Sequence, residues 1–383
     1  MTVVFFSDIA WDSLHQRPQH LATLLGVTHR VLWVEPATLG RPVVWTPRGQ
    51  VSGVVRMTLP AFPLNARLHW IRSTAVFLSR ARVLREIVTI VQRMLLRRGV
   101  RCVRAPGEEV VCIVENFLFM HLAGSLRARR VVFDYIDDVF GFAAFPAFVR
   151  SEWLSALRRA DVVTVTSPTL RRRITEAHDR AVTIVPNGVE YDRFARAGDD
   201  APPADLPAGG PPVIGYVGSI YPWVDFGLLE RTLDAMTDLR FVMIGQVHPD
   251  VTGAMSRLAQ HPNFTYLGLK PYAEVPGYLR RFHAGIIPFR RTLLTEGVNP
   301  VKLYEYSAAG VPTVATDFSD DTRAFADIVL IARTAEEFAE QIRVAVGRRA
   351  DAAFTAKLAA FARANDWKRR SEVFLDILQQ HGT

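Results

Sequence analysis

The stretch RAGDDAPPADLPAGGPPVIGYVGS, residues 196–219, divides the sequence into two similar halves. Its first part, residues 196–212, is rich in Pro, Gly, Ala and Asp and has no apolar periodicity, which is typical of a linker. Its last part is a short apolar run that predicts a strand at the start of a second domain. A chain of 383 residues agrees with this division, because one domain commonly holds about 100–200 residues.

Short apolar runs alternate with helical patterns on both sides of this linker. Runs such as TVVFFS and RRVVFDYID lie before it, and LRFVMIG and AGIIPF lie after it. Continuous apolar strands separated by helices predict parallel sheets that are covered on both faces. We therefore expect an α/β fold of two doubly wound, Rossmann-like parallel-sheet domains, at residues 1–195 and 213–364. Ligands of such sheets bind at the carboxyl ends of the strands, so the cleft between the domains is the expected site.

The sequence is strongly basic, with a net charge of +8 and a pI of about 9.8. This charge permits nucleic acid, an anionic membrane or a phosphate-rich substrate as the partner. Ten arginines and the single acid Glu86 fall in residues 67–104, where apolar residues recur at helical spacing. That segment predicts a basic amphipathic helix, which either packs its apolar face on the sheet or docks on an anionic membrane surface. It offers few aromatic platforms, so we do not expect nucleic acid as a partner.

Neither a leader nor a membrane span is expected. Residues 1–11, MTVVFFSDIAW, have no basic leader and predict a first strand rather than a signal peptide. No run approaches the roughly 18 apolar residues of a spanning helix. The two cysteines have no metal-ligand spacing and indicate reduced thiols. The expected location is the cytoplasm, with peripheral attachment to the inner face of the cell membrane as the open alternative.

The stretch NPVKLYEYSAAG predicts a short helix that carries a cation and a carboxylate on one face. Asn299 and Pro300 are typical of a helix start, and Gly310 is typical of a helix end. Lys302 would place a charge beside the free N–H groups of the first turn, where a phosphate can bind. Glu305, three residues later, could accept hydrogen bonds from a vicinal diol such as a ribose. The spacing suits a nucleotide diphosphate, and an ordinary surface Lys–Glu pair is the alternative.

With the following residues, this stretch resembles a known signature. NPVKLYEYSAAGVPTVATD at 299–317, preceded by IIPF at 286–289, is similar to the donor site of nucleotide-sugar glycosyltransferases with the two-Rossmann GT-B fold. Similarity is closest to bacterial transferases that build surface polysaccharides, of the teichuronic acid type, and more distant to the xanthan glucuronosyltransferase. Four further stretches match the same group in chain order: DIAWDSLHQRPQHLA, VFDYIDD, VTIVPNGVEYDRF and GYVGSIYPWVDFGLLE.

The resemblance implies a glycosyltransferase of the hexosyltransferase class. Such an enzyme would move a sugar from a nucleotide-diphosphate donor, expected to be UDP-linked, to a saccharide or lipid-linked saccharide in cell-surface polysaccharide synthesis. A nucleotide-sugar 2-epimerase of the same fold remains an alternative, and it would turn over donor without an acceptor. A dinucleotide-dependent oxidoreductase is disfavoured because neither domain has G-x-G-x-x-G in its first strand–helix turn. The resemblance also implies that residues 365–383 form a helix that crosses back to the first domain.

The resemblance places the donor in the second domain. It implies that Glu305 binds the ribose and that Lys302 lies near the diphosphate, which the backbone after the first strand of that domain also approaches. Glu296 would contact the donor sugar, although it lies nine residues before Glu305 and the family's two glutamates are eight apart. The expected donor-binding residues are Lys302, Glu305, Gly218, Ser219, Asn299, Glu296 and Arg290.

The first domain is expected to hold the acceptor. Asp137 and Asp138 end the strand VVFDYIDD, where one of them could be the general base of an inverting transfer or a loop carboxylate that caps a helix. The predicted acceptor-binding residues are Asp12, His15 and Arg17, of which Arg17 could hold a phosphate with two hydrogen bonds. The acidic pairs are adjacent rather than spaced as a chelating D-x-D, so we expect no metal and no cofactor besides the nucleotide sugar. Lys302, helix dipoles and Arg290 or Arg291 would then offset the phosphate charge.

Overall fold

Two parallel β-sheets, one in each half of the chain, form the frame of the protein. The computed structural model describes residues 1–13, 15–37, 47–51, 53–60, 82–141, 147–195, 203–206 and 209–380. Within these residues helices follow most strands, and the two sheets are separate. The predicted fold class, two parallel-sheet α/β domains, is confirmed.

The first sheet contains eight described strands, of which seven are parallel. They are β1 (Thr2–Phe6), β2 (Arg30–Pro36), β3 (Arg48–Val51), β4 (Val54–Leu59), β5 (Val110–Val114), β6 (Arg130–Tyr135), β7 (Val162–Val165) and β8 (Val182–Ile184). Their order in the sheet is β3-β4-β2-β1-β5-β6-β7-β8, and β3 pairs antiparallel with β4 at the edge. β1 therefore lies between β2 and β5, in the middle of the sheet.

The described helices of the first half are α1 (Arg17–Thr28), α2 (Arg82–Val103), α3 (Met120–Ala123), α4 (Ala147–Arg159), α5 (Pro168–Ala177) and α6 (Tyr191–Ala195). Local sequence explains where α5 begins. The Ser167 side chain accepts a hydrogen bond from the Leu170 N–H, and Pro168 occupies the first turn, where no backbone donor is needed. Short 3-10 turns at Phe117–Phe119, Gly124–Leu126 and Val139–Gly141 complete this half.

The second sheet has six strands, all parallel, in the order β11-β10-β9-β12-β13-β14. They are β9 (Val213–Val217), β10 (Arg240–Ile244), β11 (Phe264–Tyr266), β12 (Ala284–Ile287), β13 (Thr313–Thr316) and β14 (Val329–Ala332). The strand order reverses between β9 and β12, and ligands of doubly wound sheets bind at such a switch point. The helices are α7 (Phe226–Ala235), α8 (Thr252–Leu258), α9 (Val275–Leu279), α10 (Leu293–Gly297), α11 (Val301–Ala308), α12 (Ala335–Arg348), α13 (Ala352–Ala364) and α14 (Trp367–Gln379).

The apolar strands are buried on both faces. In β1, Val3 and Phe5 pack into one core cluster, while Val4 and Phe6 pack into a second cluster on the other face. This split follows from strand geometry, because successive side chains point to opposite faces. A strand covered on both sides needs apolar residues at every position, which explains the continuous run TVVFF.

The last helix, α14, lies on the first half of the chain although it follows the second sheet. Trp367 stacks on His20 of α1 with a ring-centroid separation of 5.0 Å. A guanidinium N–H of Arg130 donates to the Ile377 carbonyl at 3.0 Å. The chain thus returns across the domain boundary at its end. Of the predicted linker, residues 196–202 and 207–208 lie outside the described residues.

The arginine-rich segment is described only from Arg82 onward, as α2, and its residues 67–81 lie outside the described part. One face of α2 packs on the sheet through Leu96, Val100 and Val103. A second apolar face is turned to solvent, and it consists of Val83, Ile87, Ile90, Val91 and Met94. Within the described ranges, no helix is long and apolar enough to cross a membrane.

Candidate active site

The two halves of the chain meet near the carboxyl ends of their sheets. The Asn187 backbone N–H donates to the Asn299 side-chain carbonyl at 2.8 Å, and the Asn187 side chain donates back to the Asn299 backbone carbonyl at 2.7 Å. A Cβ placed on Gly141 would lie 2.6 Å from the Leu294 backbone nitrogen. These contacts hold loops of the first domain against α10 and the start of α11 in the second.

The predicted helix start at Asn299 is wrong by one residue. Pro300 is the N-cap of α11, and it makes no side-chain capping bond. The Asn299 side chain is buried, and its oxygen accepts from the Asn187 N–H and, at 2.9 Å, from the Tyr304 hydroxyl. Tertiary partners thus bind this oxygen, and the predicted donor-binding role of Asn299 stays a prediction.

Lys302 projects from the first turn of α11 toward the end of β9. Its Nζ lies over the rings of Tyr216 and Phe289, 5.0 and 5.1 Å from their centroids, which attracts the cation. A Cβ on Gly218 would lie only 2.7 Å from this Nζ. Burial lowers the pKa of Lys302 to about 8, against the opposing attraction of Glu305. Lys302 therefore remains mostly charged at neutral pH.

Glu305 lies one turn later and is half-buried. Desolvation raises the pKa of its carboxyl to about 7, because it outweighs the attraction of Lys302, and Glu190 adds repulsion. Within the described residues, neither the Lys302 nor the Glu305 side chain makes a hydrogen bond or ion pair. A desolvated cation and carboxyl without such partners are suited to a ligand that brings its own phosphates and hydroxyl groups.

Glycines form the backbone opposite Lys302. Gly218 has a φ of +138° and Gly245 a φ of +148°, and a Cβ on Gly245 would lie 1.9 Å from the Gly218 carbonyl oxygen. The Gly218 N–H is already bonded to the Ile244 carbonyl at 2.9 Å. Gly218 thus permits close approach but does not donate. Ser219 follows, and its carbonyl accepts from the Tyr216 hydroxyl at 2.6 Å, which fixes the turn.

Arg290 directly follows Phe289, whose ring lies beneath the Lys302 Nζ. It is exposed after β12, and its guanidinium donates to the Pro222 carbonyl. It lines a cavity of about 390 Å³ together with apolar residues and with Asp225, Asp250 and Arg257. Neither Lys302 nor Glu305 lines this cavity. The predicted donor-binding role of Arg290 stays a prediction.

Arg173 of α5 joins two residues that were predicted to serve chemistry. Its guanidinium contacts Asp138 and Glu296, each at 2.8 Å, and so bridges the two domains. Arg291 also binds Glu296, at 3.0 Å. Two arginines thus bind the Glu296 carboxylate and give it a structural role, and its predicted contact with the donor sugar stays a prediction. The shift in spacing that separates it from the family pattern is consistent with this structural role.

Asp138 also has a structural role. It is buried, and besides Arg173 it accepts a hydrogen bond from the Phe140 N–H at 3.2 Å and one from the Tyr135 hydroxyl at 3.3 Å. Three hydrogen bonds commit Asp138 to the turn and the ion pair, and its predicted catalytic role stays a prediction. The alternative of a capping loop carboxylate describes Asp138.

Asp137 differs from its neighbour in sequence. It is half-buried after β6 and has no hydrogen-bonding partner among the described residues. Burial, followed by repulsion from Asp8 and Asp138, raises the pKa of Asp137 to about 7, and Arg17 opposes this shift. A carboxyl whose pKa is near neutrality, and whose oxygens are free to accept hydrogen bonds, is suited to accept a proton at physiological pH.

The three predicted acceptor-binding residues have different environments. Arg17 is 2% exposed and binds Asp134 through two hydrogen bonds of 2.8 and 3.0 Å, so its predicted contact with an acceptor phosphate is wrong. Asp12 is exposed and paired with Arg56 at 2.6 Å. His15 is half-buried, and burial lowers its pKa.

Sequence reasoning did not single out Tyr272, which reaches from the second domain to the first. Its ring lies 5.2 Å from the His15 ring and 5.7 Å from the Phe194 ring, and Arg193 lies over it at 5.3 Å. Two carboxyls, Asp8 and Glu115, were missed as well. Both come directly after buried strands, the same signal that pointed to Asp137.

Comparison with known proteins agrees with this arrangement. Residues 211–347, which hold Lys302, Glu305 and Gly218, match the family described as glycosyl transferases group 1. This match lies within the second domain. The resemblance inferred from the sequence motifs is thereby confirmed.

Similar proteins and solved structures extend the comparison, and the solved structures cover both domains. A Bacillus subtilis (strain 168) protein described as a teichuronic acid biosynthesis glycosyltransferase, TuaH, is 30% identical over 182 residues. That alignment spans 46% of this chain and 45% of the relative, so less than half of the relative's length is matched. A trehalose-6-phosphate structure from E. coli bound with UDP-2-fluoro glucose has a TM-score of 0.71 at 13% identity, with 99% of both chains covered. An Anabaena HepE complex with UDP and glucose has a TM-score of 0.64 at 12% identity and the same coverage. The whole chain therefore has the GT-B fold.

Proposed function

We propose that this protein is a glycosyltransferase that moves a sugar from a UDP-sugar to a saccharide acceptor. The observation that carries the proposal is the pair Lys302 and Glu305, which lie one turn apart in a group 1 domain, partly desolvated and without ion-pairing partners among the described residues. Gly218 allows a diphosphate to approach Lys302 closely. Structural neighbours bound to UDP or a UDP-sugar support a uridine nucleotide as the donor.

The chemistry follows from where charge develops. When the bond from the sugar to the diphosphate breaks, negative charge builds up on the leaving phosphate, and a nearby Lys302 cation stabilises it. Asp137 can take the proton of the attacking acceptor hydroxyl, which makes this oxygen a better nucleophile. We propose that transfer needs no metal, since Lys302 supplies the compensating charge. Within the described ranges, no group of three His, Cys, Asp or Glu side chains is arranged to hold a metal ion.

A binding and turnover screen tests the proposal. Calorimetry with UDP, GDP, dTDP and NAD is expected to show tight binding of UDP, which Lys302→Ala and Glu305→Ala abolish. Lys357→Ala serves as the control, since Lys357 is exposed and paired with Asp327 at 3.7 Å. Chelator should leave transfer unchanged. Tight NAD binding would favour an oxidoreductase, and donor turnover without any acceptor would favour a 2-epimerase.

We further propose that the enzyme works at a membrane surface on a lipid-linked acceptor. The solvent-facing stripe of α2 includes Val83 and Met94, which are 70% and 67% exposed, and water-facing apolar stripes of this kind are costly unless covered. Four exposed arginines beside this stripe add about 1 kcal/mol each near an anionic bilayer. They are Arg93, Arg97, Arg98 and Arg101. A stripe flanked by cations fits an anionic lipid surface better than another apolar protein face.

Vesicle flotation tests this surface independently of catalysis. The protein is expected to float with phosphatidylglycerol vesicles and much less with phosphatidylcholine vesicles. The double variant Ile87→Asp with Met94→Asp should lose flotation, whereas Val27→Asp, at an exposed apolar residue of α1, should retain it. Equal flotation of all variants, or concentration-dependent self-association lost in the double variant, would contradict a lipid partner.

A further inference from the structure

A cluster of carboxyls lies at the carboxyl edge of the first sheet, beside Asp137. Asp8 follows β1, Glu115 follows β5 and Asp137 follows β6, and β1, β5 and β6 are consecutive in the sheet. Asp8 is exposed yet surrounded by enough protein that desolvation raises its pKa, as expected on the floor of a cleft. Among nearby charges, repulsion from Asp8 contributes most to the raised pKa of both Glu115 and Asp137.

The cation next to this cluster is already engaged. Arg17 attracts both Glu115 and Asp137, but its guanidinium is bonded twice to Asp134 and also to the Pro186 carbonyl at 3.1 Å. Asp134 accepts a further hydrogen bond from the Thr164 hydroxyl at 2.7 Å. Arg17 and Asp134 thus neutralise each other behind the cleft. Negative charge at the cleft floor therefore remains only partly compensated.

Glu115 supplies an independent sign that this edge of the sheet binds a ligand. It is 7% exposed, and one carboxyl oxygen accepts from the Ser7 hydroxyl at 3.3 Å. The other oxygen is buried and has no hydrogen-bonding partner among the residues that the structure describes. Buried polar atoms are almost always hydrogen-bonded, so an orphaned oxygen at a sheet edge indicates a partner that enters from the cleft. A sugar hydroxyl, alone or through a water, has the required donor.

We propose that Asp8 is a further acceptor-binding residue, and that Asp8 and Asp137 together hold two neighbouring hydroxyl groups of an uncharged part of the acceptor sugar. This inference rests on the proposed transfer reaction. Asp137 takes the proton of one acceptor hydroxyl, and the oxygen of that hydroxyl forms the bond to the donor sugar carbon. The bond from that carbon to the phosphate oxygen breaks, and its electron pair leaves with UDP. Asp8 accepts a hydrogen bond from the second hydroxyl and is not protonated in the step.

The two carboxylates also affect each other. A negative Asp8 makes proton acceptance by Asp137 more favourable, because like charges in a partly desolvated site raise each other's pKa. Replacing Asp8 by Asn removes this repulsion and one strong hydrogen-bond acceptor. The pKa of Asp137 should fall, so the acid limb of the rate profile should move to lower pH. The acceptor KM should rise about tenfold, as expected for loss of one charge-assisted hydrogen bond.

The experiment compares wild type, Asp8→Asn, Asp8→Ser and Glu109→Gln. Glu109 is exposed at the start of β5, at the opposite edge of the sheet, and serves as the control. UDP affinity should be the same in all four, while acceptor KM and the acid limb change only in the two Asp8 variants. Carbon NMR titration of the Asp137 carboxyl should show its pKa lowered in Asp8→Asn without any substrate.

Three results would overturn the assignment. Unchanged acceptor KM together with an unchanged acid limb would remove Asp8 from the site. An unshifted Asp137 titration would show that the two carboxyls do not interact. Loss of UDP affinity in the Asp8 variants would reassign Asp8 to donor binding. Absence of any transfer by wild type, with UDP bound normally, would instead refute the proposed function on which this inference rests.

Discussion

Substituting Gly218 by Ala is expected to weaken nucleotide binding in a protein that still folds. The added Cβ would lie 2.7 Å from Nζ and 2.9 Å from Cε of Lys302, which is too close for either contact. These atoms are the mobile end of a long side chain, so the folded protein can relieve the clash by moving Lys302 aside. The remaining cost is a non-glycine residue at a φ of +138°, which should destabilise the protein by about 1–3 kcal/mol.

The moved side chain no longer reaches the diphosphate. A hydrogen bond to a charged group contributes about 1.5–3 kcal/mol, so the Kd for UDP should rise about 10- to 150-fold. Calorimetric titration of UDP measures this change, and urea unfolding measures the stability of the same samples. Gly253→Ala is the matched control, because a Cβ at Gly253 meets no atom within 4 Å. A folded Gly218→Ala protein that binds UDP as tightly as wild type would refute the placement of the diphosphate beside Lys302.

Three further outcomes are expected. Affinity for UDP should be highest between pH of about 7 and about 8, because Glu305 gains a proton below the lower value and Lys302 loses one above the upper value. Arg17→Met should lower the free energy of unfolding by about 3–5 kcal/mol in urea titrations, since it leaves the buried Asp134 charge unpaired. Arg173→Ala should lower the melting temperature and increase small-angle scattering dimensions, since this side chain bridges the two domains.

Controls separate these effects from general charge loss. Arg343→Met removes an exposed pair with Asp238 and should change the free energy of unfolding by less than about 1 kcal/mol. If Arg17→Met and Arg343→Met lowered the free energy of unfolding equally, burial would not be what makes the Arg17–Asp134 pair important for stability. A pH-independent UDP affinity would show that Lys302 and Glu305 do not change protonation state in the range where the nucleotide binds. Unchanged scattering and melting in Arg173→Ala would mean that other contacts suffice to hold the domains.

The parallel-sheet architecture could be predicted from sequence because its signal is local. A doubly covered strand must be apolar at every position, and TVVFF and VIGYV show this directly. The pairing of Lys302 with Glu305 was accessible for the same reason, since residues three apart in a helix always share a face. The family resemblance then indicated a nucleotide sugar as the ligand. Neither signal depends on how the two domains contact each other.

Residues at the domain contacts were predicted poorly because their partners are distant in sequence. Asn299 has the composition of a helix cap, but Asn187 lies 112 residues earlier and takes its side chain. Glu296 has the position of a sugar contact, but Arg173 occupies it from the first domain. Local sequence indicates one role for such a residue. A charged or buried partner from a distant part of the chain can bind its side chain instead. No pattern within one segment could have revealed either partner.

Asp137 and Asp138 show how strongly the environment decides the chemistry of a carboxyl. The two are adjacent, both follow β6 and both are partly or fully buried. Asp138 accepts hydrogen bonds from Arg173, a backbone N–H and a phenol, and these contacts hold its side chain in the turn. Asp137 meets mainly other carboxyls, which make it receptive to a proton near neutral pH. In one turn, Asp138 thus helps to join the two domains, whereas Asp137 can act as a base in the cleft. An Asp-to-Asn substitution should therefore weaken the domain contact at position 138 and remove the proton acceptor at position 137.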